Sequence, residues 1–329
     1  MRLGGVFFRF RSIFVSIVIG FGICLSLEGS ALPPEPVQNS LPSLIAFGSC
    51  NLQKFSQKYW RTISSLNPDI WIWLGDIIYA DGFTTGMRER AYSEVKKAPG
   101  YQTLSSHARI LGTWDDHDFG YNNSGAGYRG KEESQRVLLD FLDEPESSPR
   151  RKQAGVYSAY RFQSQGRTLK ILMLDLRYFR EPEGPGADLL GPEQWRWLES
   201  ELAQDPAELT LIGSSSQVLA WGGGTEESWV RYPSARARLL DLLRRTPGQH
   251  LILSGDRHFL EISKMALDES RTLYDFTSSG LTHAHLPLWR RKRSNPLRVG
   301  RPYGRRNFGV VHLDWNEVPV RVSLEPRSI

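Results

Sequence analysis

At 329 residues, with 40% hydrophobic and 23% charged side chains, the chain is long enough to bury a sizeable core and has a soluble globular composition. Disordered, collagenous and multispan membrane classes are excluded. The 41 basic and 36 acidic residues leave a net charge of +5, too small an excess at this length to argue for a specific nucleic-acid partner.

Residues 1–31 read as a targeting segment. Arg2, Arg9 and Arg11 precede an apolar run from Ile13 to Leu27, which ends at the small residues Gly29, Ser30 and Ala31. Export to a periplasm or to the extracellular side is expected, with no stable membrane span once the segment is cleaved. A retained signal anchor is the alternative, although the run is shorter than the roughly 20 residues that span a bilayer. Cys24 lies inside this run and leaves with it. Cys50 then stands alone in the mature chain, without a disulfide partner in an oxidising compartment. Metal coordination would account for such a thiol; plain burial is the alternative.

Residues 28–42, rich in Pro, Ser, Gly and Asn, read as a solvated lead-in, with a linker over 32–43 and a single domain over 44–329. From Leu44 onward, short apolar runs alternate with longer amphipathic segments. Leu44 to Phe47, Ile70 to Leu74, Ile110 to Thr113, Leu169 to Leu174, Leu209 to Gly213 and His250 to Leu253 read as buried strands. Lys131 to Leu142, Pro192 to Leu202 and Ser234 to Arg245 read as helices, the second with Pro in its first turn. This alternation predicts an α/β fold with helices outside the sheet. Beyond Thr272 the helical signal fades, and Phe308 to Leu313 and Val318 to Leu324 read as an antiparallel pair closing a sheet. Trp289 to Arg306 carries eight Lys and Arg residues and reads as a mobile basic loop, either an attractant for phosphate-bearing ligands or a solvated surface.

Four short segments each follow a predicted strand, where α/β folds place ligand-binding groups. They are Gly48-Ser49-Cys50, Gly75 to Tyr79, Trp114 to Asp118 and Ser254 to His258. Carboxylates gathered on one rim raise one another's pKa unless a cation compensates them, and metal ions supply that charge. A Cys50 thiolate and a Tyr79 phenolate, with Asp76 and Asp256, suit trivalent iron better than magnesium; softness also allows zinc. The remaining carboxylate, imidazole and amide oxygens could hold a harder second ion such as calcium or manganese, with Asp76 bridging the pair. Taken singly, Cys50 and Tyr79 read equally as core, and Asp115 and Asp118 as caps of the turn or as partners of His117. His107, His250 and His312 read as structural.

In order along the chain, Phe47 to Asn51 (FGSCN), Trp73 to Tyr79 (WLGDIIY), Trp114 to Asn122 (WDDHDFGYN), Leu174 to Arg180 (LDLRYFR), Gln194 to Leu202, Ser214 to Leu219, Leu253 to Phe259 (LSGDRHF) and Tyr274 to His283 resemble the alkaline phosphatase D family of metallophosphoesterases, in the calcineurin-like superfamily. The resemblance implies a four-layer α/β/β/α sandwich with a binuclear metal site, Fe3+ with Ca2+ in family members, that hydrolyses phosphate esters. By motif position it implies Cys50, Asp76, Tyr79 and Asp256 as iron-side ligands, Asp116 where the superfamily places a metal-binding Asn, His258 as the final metal-site histidine and His117 as the catalytic histidine. Asn122, Gln217, Arg177 and His283 are the implied substrate-side residues, with a structural salt bridge as the alternative for Arg177. Two departures stand out. The catalytic region begins almost directly after the targeting segment, without the amino-terminal sandwich domain of some relatives, and Asn123 stands where the family often has Asp.

The expected reaction is hydrolysis of a small phosphate mono- or diester by attack of a metal-bound hydroxide, with His117 serving the leaving oxygen. Two alternatives are a noncatalytic polyanion-binding protein on the same fold and a zinc hydrolase of another ester bond.

Overall fold

The computed structural model describes residues 37–220, 227–285 and 295–329; the targeting segment lies outside them. Strands β1 (Leu44–Gly48), β2 (Ile70–Leu74) and β3 (Arg109–Thr113) are parallel neighbours. Strands β4 (Ser158–Ser164), β5 (Arg167–Met173), β6 (Leu209–Ser214), β7 (Gln249–Ser254), β8 (Leu260–Ala266), β9 (Thr272–Ser278) and β10 (Arg298–Tyr303) form a second sheet in the order β10-β8-β9-β7-β6-β5-β4. The last two, β11 (Asn307–Asp314) and β12 (Arg321–Ser328), return to the first sheet and complete the order β12-β11-β1-β2-β3.

The sequence of β2, Ile-Trp-Ile-Trp-Leu, explains why the sheets stack. All five side chains are buried, and because successive residues point to opposite faces the strand has two cores to fill. Ile70, Ile72 and Leu74 pack with Ile45 and Phe47 of β1 and with Ile171, Leu211, Leu253 and Phe276 of the second sheet. Trp71 and Trp73 face the other way, into a cluster with Trp60, Tyr92, Tyr101 and Phe141. Those residues belong to α1 (Trp60–Ser64), α2 (Thr85–Lys97), α3 (Pro99–Ser105) and, beyond the short α4 (Asp116–Phe119), α5 (Lys131–Phe141). The second sheet repeats the scheme. Leu172, Ile212 and Ile252 turn outward onto α6 (Gly191–Ala203) and α7 (Pro233–Arg245) through Trp195, Leu198, Leu239 and Leu243. The result is the four-layer α/β/β/α sandwich.

The six strands and three helices read from the sequence are all present, with ends shifted by a residue or two. The terminal pair is antiparallel as expected, but β12 begins at Arg321 because Trp315 to Val320 form the connection between the paired Asp314 and Arg321. Strand β4 went unread. Its hairpin with β5 is made by Gln165 (φ 50°) and Gly166 (φ 76°), the two-residue left-handed turn that matches strand twist. The basic loop is corrected in part. Residues 286–294 lie outside the described residues, but Arg298–Tyr303 is an edge strand paired antiparallel with β8, where Arg298 Nε meets Glu261 Oε2 at 2.5 Å. Charged side chains there suit a strand with one unpaired edge. The end of the lead-in is also held rather than solvated: Gln38 N–H donates to Arg161 O at 3.0 Å and Gln38 O accepts from Gln163 N–H at 2.8 Å.

Candidate metal centre

The four segments read as chemical in the sequence converge beyond the carboxyl ends of β1, β2, β3 and β7. Two glycines permit the approach. At Gly75 (φ 87°) a Cβ would lie 2.4 Å from Asp115 Cβ, and at Gly255 it would lie 2.6 Å from Leu74 O and 2.7 Å from Ser49 Oγ. The backbone of Cys50 (φ 60°), Asp76 (φ 49°), Asp256 (φ 66°) and His258 (φ 56°) is left-handed. That conformation is unfavourable for such residues and persists where surrounding structure enforces it, chiefly at functional sites.

One side of the cluster holds the thiol and the phenol. Cys50 Sγ is 3.4 Å from Asp76 Oδ2 and 3.3 Å from Ser279 Oγ. Tyr79 OH is 3.3 Å from the same Asp76 oxygen and 3.1 Å from both His258 Nε2 and His283 Nε2. Burial pushes the Cys50 thiol up to about 12, despite hydroxyls from Ser279 and Ser49. Burial and then the charges of Cys50 and Asp116 hold the Asp76 carboxyl well above its usual range. Burial, reinforced by Asp115, moves Asp256 to about 8 even with Arg257 Nη1 3.6 Å away. His283 goes down to about 4, through burial and then the charges of His258 and His117. Without an added cation, Cys50, Asp76 and Asp256 therefore hold their protons, while His283 stays a neutral imidazole.

The other side is built from β3 and α4. Asp116 is nearly buried, and burial alone would raise its pKa; the Arg177 guanidinium, His117 and the Asn123 N–H outweigh this, and its carboxyl lies below the usual range. Asn123 N–H donates to Asp116 Oδ2 at 2.7 Å. Asp118 takes the capping role: its carboxylate accepts from Asp115 N–H at 2.6 Å and Ile77 N–H at 3.0 Å, tying the turn after β3 to the turn after β2. His117 is held by neither Asp115 nor Asp118 but by Asp81, with Nδ1 2.6 Å from Asp81 Oδ2. The Tyr79 ring lies beside the imidazole, 4.2 Å between centroids at 31°.

A metal fits this donor set. Cys50, Asp76 and His258 offer ligand atoms within 4.8 Å of one another, as do Asp76, Asp116 and His117, so Asp76 is common to both groups. Its Oδ1 is buried with no hydrogen-bond partner among the described residues, and the same holds for Asp256 Oδ2. A buried carboxylate oxygen without a donor is costly unless a cation faces it.

The substrate-side expectations fare unevenly. His283 lies in the cluster and Asn122 is exposed beside it, its N–H donating to Asp81 Oδ1 at 2.7 Å. Arg177 is buried in ion pairs, the arrangement expected of the salt-bridge alternative. It is 2% exposed; Nε donates to Asp115 Oδ1 at 2.6 Å, and Nη1 and Nη2 hold Glu227 at 3.0 and 2.9 Å. Gln217 is likewise buried, its Nε2 donating to Thr277 Oγ1 at 2.8 Å. Asp81, Ser279 and Glu227 were missed. Asp81 lies two residues past Tyr79 on a turn already marked as chemical, so it was findable. Glu227 binds Arg177 and Arg180 and accepts from Arg257 through its carbonyl, a convergence visible only in three dimensions.

The model of the PhoD-like phosphatase family matches residues 45–287. Alkaline phosphatase D of Bacillus subtilis (strain 168) is 24% identical over 305 residues, covering 73% of this chain and 50% of that protein; the chain thus spans about half the length of the curated relative it matches. A solved structure of PhoD superimposes with a TM-score of 0.66 at 18% identity, over 91% of this chain and 74% of that one. A dimetal phosphatase from Danio rerio gives 0.50 at 15% identity, over 87% and 96%. These structural likenesses establish the fold, and the family match, which takes in every segment of the donor cluster, establishes the lineage. The chain belongs to the PhoD-like phosphatase family.

Proposed function

We propose that this chain is an exported, metal-dependent phosphoesterase acting on small phosphate mono- or diesters. The observation that carries the reading is Asp76, a buried carboxylate shared by two donor groups, with one oxygen lacking any protein donor among the described residues. Cys50, Asp76, Tyr79, Asp256 and His258 would hold one ion, and Asp76 and Asp116 the second. The thiol and phenol favour Fe3+ at the first and hard oxygens favour Ca2+ at the second, with Zn2+ or Mn2+ as the competing ions. When bound, the cations supply the charge that neutralises these acids and the phosphoryl oxygens of the substrate. Export rests on the sequence of residues 1–31.

The chain's own groups then do the following. Asp81 engages Nδ1 of His117 and fixes the tautomer and ring orientation, which leaves Nε2 for the substrate. The Tyr79 ring restricts the imidazole from its face. His117 Nε2 gives a proton to the leaving oxygen, which departs as an alcohol instead of an alkoxide. His283, kept neutral by burial and by His258 and His117, accepts or donates a hydrogen bond at the mouth without adding charge, and Asn122 offers an exposed amide beside Asp81. The test is turnover of a phosphomonoester and a phosphodiester by metal-loaded protein, before and after chelation, with His117→Asn beside it. The reading expects activity lost on chelation, and a roughly 10³-fold lower kcat with unchanged metal content in the variant. Absence of hydrolysis in loaded protein that binds a polyanion tightly would replace it with the noncatalytic reading.

A further inference from the structure

Among the described residues, two aromatic side chains are largely exposed: Phe55 at 51% and Tyr121 at 53%. Isolated exposed apolar residues are ordinary, yet both of these stand at the mouth of the donor cluster. The Phe55 ring meets His283 edge-on, 6.4 Å between centroids, and His283 Nε2 is 3.1 Å from Tyr79 OH. The Tyr121 ring lies over Gly82, 3.6 Å from where a Cβ would stand. Gly82 adjoins Asp81, and the next residue after Tyr121 is Asn122, whose N–H is bound to Asp81 Oδ1. One ring therefore borders the Tyr79–His283 side of the site and the other the His117–Asp81 side.

Tyr121 is also braced. Its N–H donates to Ser124 Oγ at 3.0 Å, and its ring packs edge-on against Tyr128, 5.6 Å between centroids. A held aromatic ring offers a stacking face at little ordering cost. A proton donor to a leaving oxygen has the carbon of that oxygen on its own side of the phosphorus. With His117 as donor, the alcohol part of the ester falls beside Asp81, Gly82 and Tyr121. At this end the exposed polar Asp81 and Asn122 are joined by the flat, exposed ring of Tyr121.

Resting on the phosphoesterase reading, we infer that Tyr121 is a specificity-determining wall that selects esters whose leaving alcohol carries a planar aromatic group over esters of small aliphatic alcohols. Stacking on one such ring changes affinity by about tenfold.

The test compares metal-loaded wild type with Phe55→Ala, Tyr121→Ala and Tyr121→Phe. Kinetics use 2-naphthyl phosphate and glycerol phosphate; calorimetry uses the non-hydrolysable phenylphosphonate and methylphosphonate. The expected result is a fall of about tenfold in the naphthyl-to-glycerol ratio of kcat/KM in Tyr121→Ala, carried by KM, with Tyr121→Phe like wild type and Phe55→Ala, on the opposite side of the site, changing the ratio less. Phenylphosphonate binding should weaken in parallel while methylphosphonate binding stays constant. Equal changes for both esters in Tyr121→Ala, or none, would overturn the inference. Wild type inert toward both esters would count against the phosphoesterase reading, and the ratio of phosphonate affinities would then decide the role of the ring by itself.

Discussion

Between the two sides of the rim one buried acid is treated differently: Asp116 after β3 is held ionised, although burial raises Asp118 in the same turn to about 8 and Asp115 to about 6. After β3, Asp116 is almost out of solvent and yet stays ionised, because Arg177 and the Asn123 N–H face it. After β1, β2 and β7, Cys50 and Asp76 are fully buried and Asp256 mostly so, and their pKa values all rise. Arg257 beside Asp256 does not reverse this. Asp116 has its counter-charge within the protein, whereas nothing described around Cys50, Asp76 and Asp256 suffices to hold them ionised. The contrast separates a donor that the protein already keeps ionised from donors that ionise only beside an added cation, although Asp116 and Asp76 belong to one donor group.

The comparison can be broken at several points. Asp76→Asn removes the shared carboxylate. Turnover should fall by roughly 10⁴-fold, the loss of several kcal/mol of charge stabilisation at about 1.4 kcal/mol per decade, and metal content should fall with it. On the other side, Arg177→Gln leaves Asp115 and Glu227 buried without their partner, and chemical denaturation should show a loss of about 3–5 kcal/mol. A stability loss from Arg177→Gln no larger than that of a surface substitution would dissolve the distinction between the two sides.

Smaller effects sharpen it. Asp81→Asn should lower kcat by about 10- to 100-fold with little change in KM, since it releases the His117 ring instead of removing a substrate contact. Metal-free protein should lose stability as pH rises. Asp256 keeps its proton in the folded state up to about 8, whereas the unfolded chain releases it near the ordinary carboxylate value of 3.8. Between those values the folded state binds more protons than the unfolded state, so unfolding becomes easier with each step upward in pH. Melting temperatures recorded across that window should fall for the metal-free protein and hold level for the loaded one.

Much of this architecture was legible in the chain. Ile70 to Leu74 announces a doubly buried strand by composition alone, and the Gly-Asp turns after β2 and β7 mark themselves by their place after such strands. Strand β4 was hidden because it pairs at a sheet edge, where Arg161 and Gln163 interrupt the apolar pattern of Tyr160 and Phe162. Helix α2 was hidden because few of its residues are buried, one of them Arg88. In the site, types and spacing marked Cys50, Asp76, Tyr79, His117 and His258 as candidates that the fold brings together, but not which acid answers which base. Asp81 takes His117, Asp118 takes the turn, and Arg177 is consumed by Asp115 and Glu227. The cap by Asp118 is local and was readable, whereas the partners of His117 and Arg177 depend on which loops cross.

The most direct test of the central claim is elemental analysis of the folded protein purified without added metal, together with its visible spectrum. The account predicts about two ions per chain, iron among them, with the colour that thiolate or phenolate ligation to ferric iron produces. A folded, colourless chain containing no metal and taking up none on incubation would contradict it.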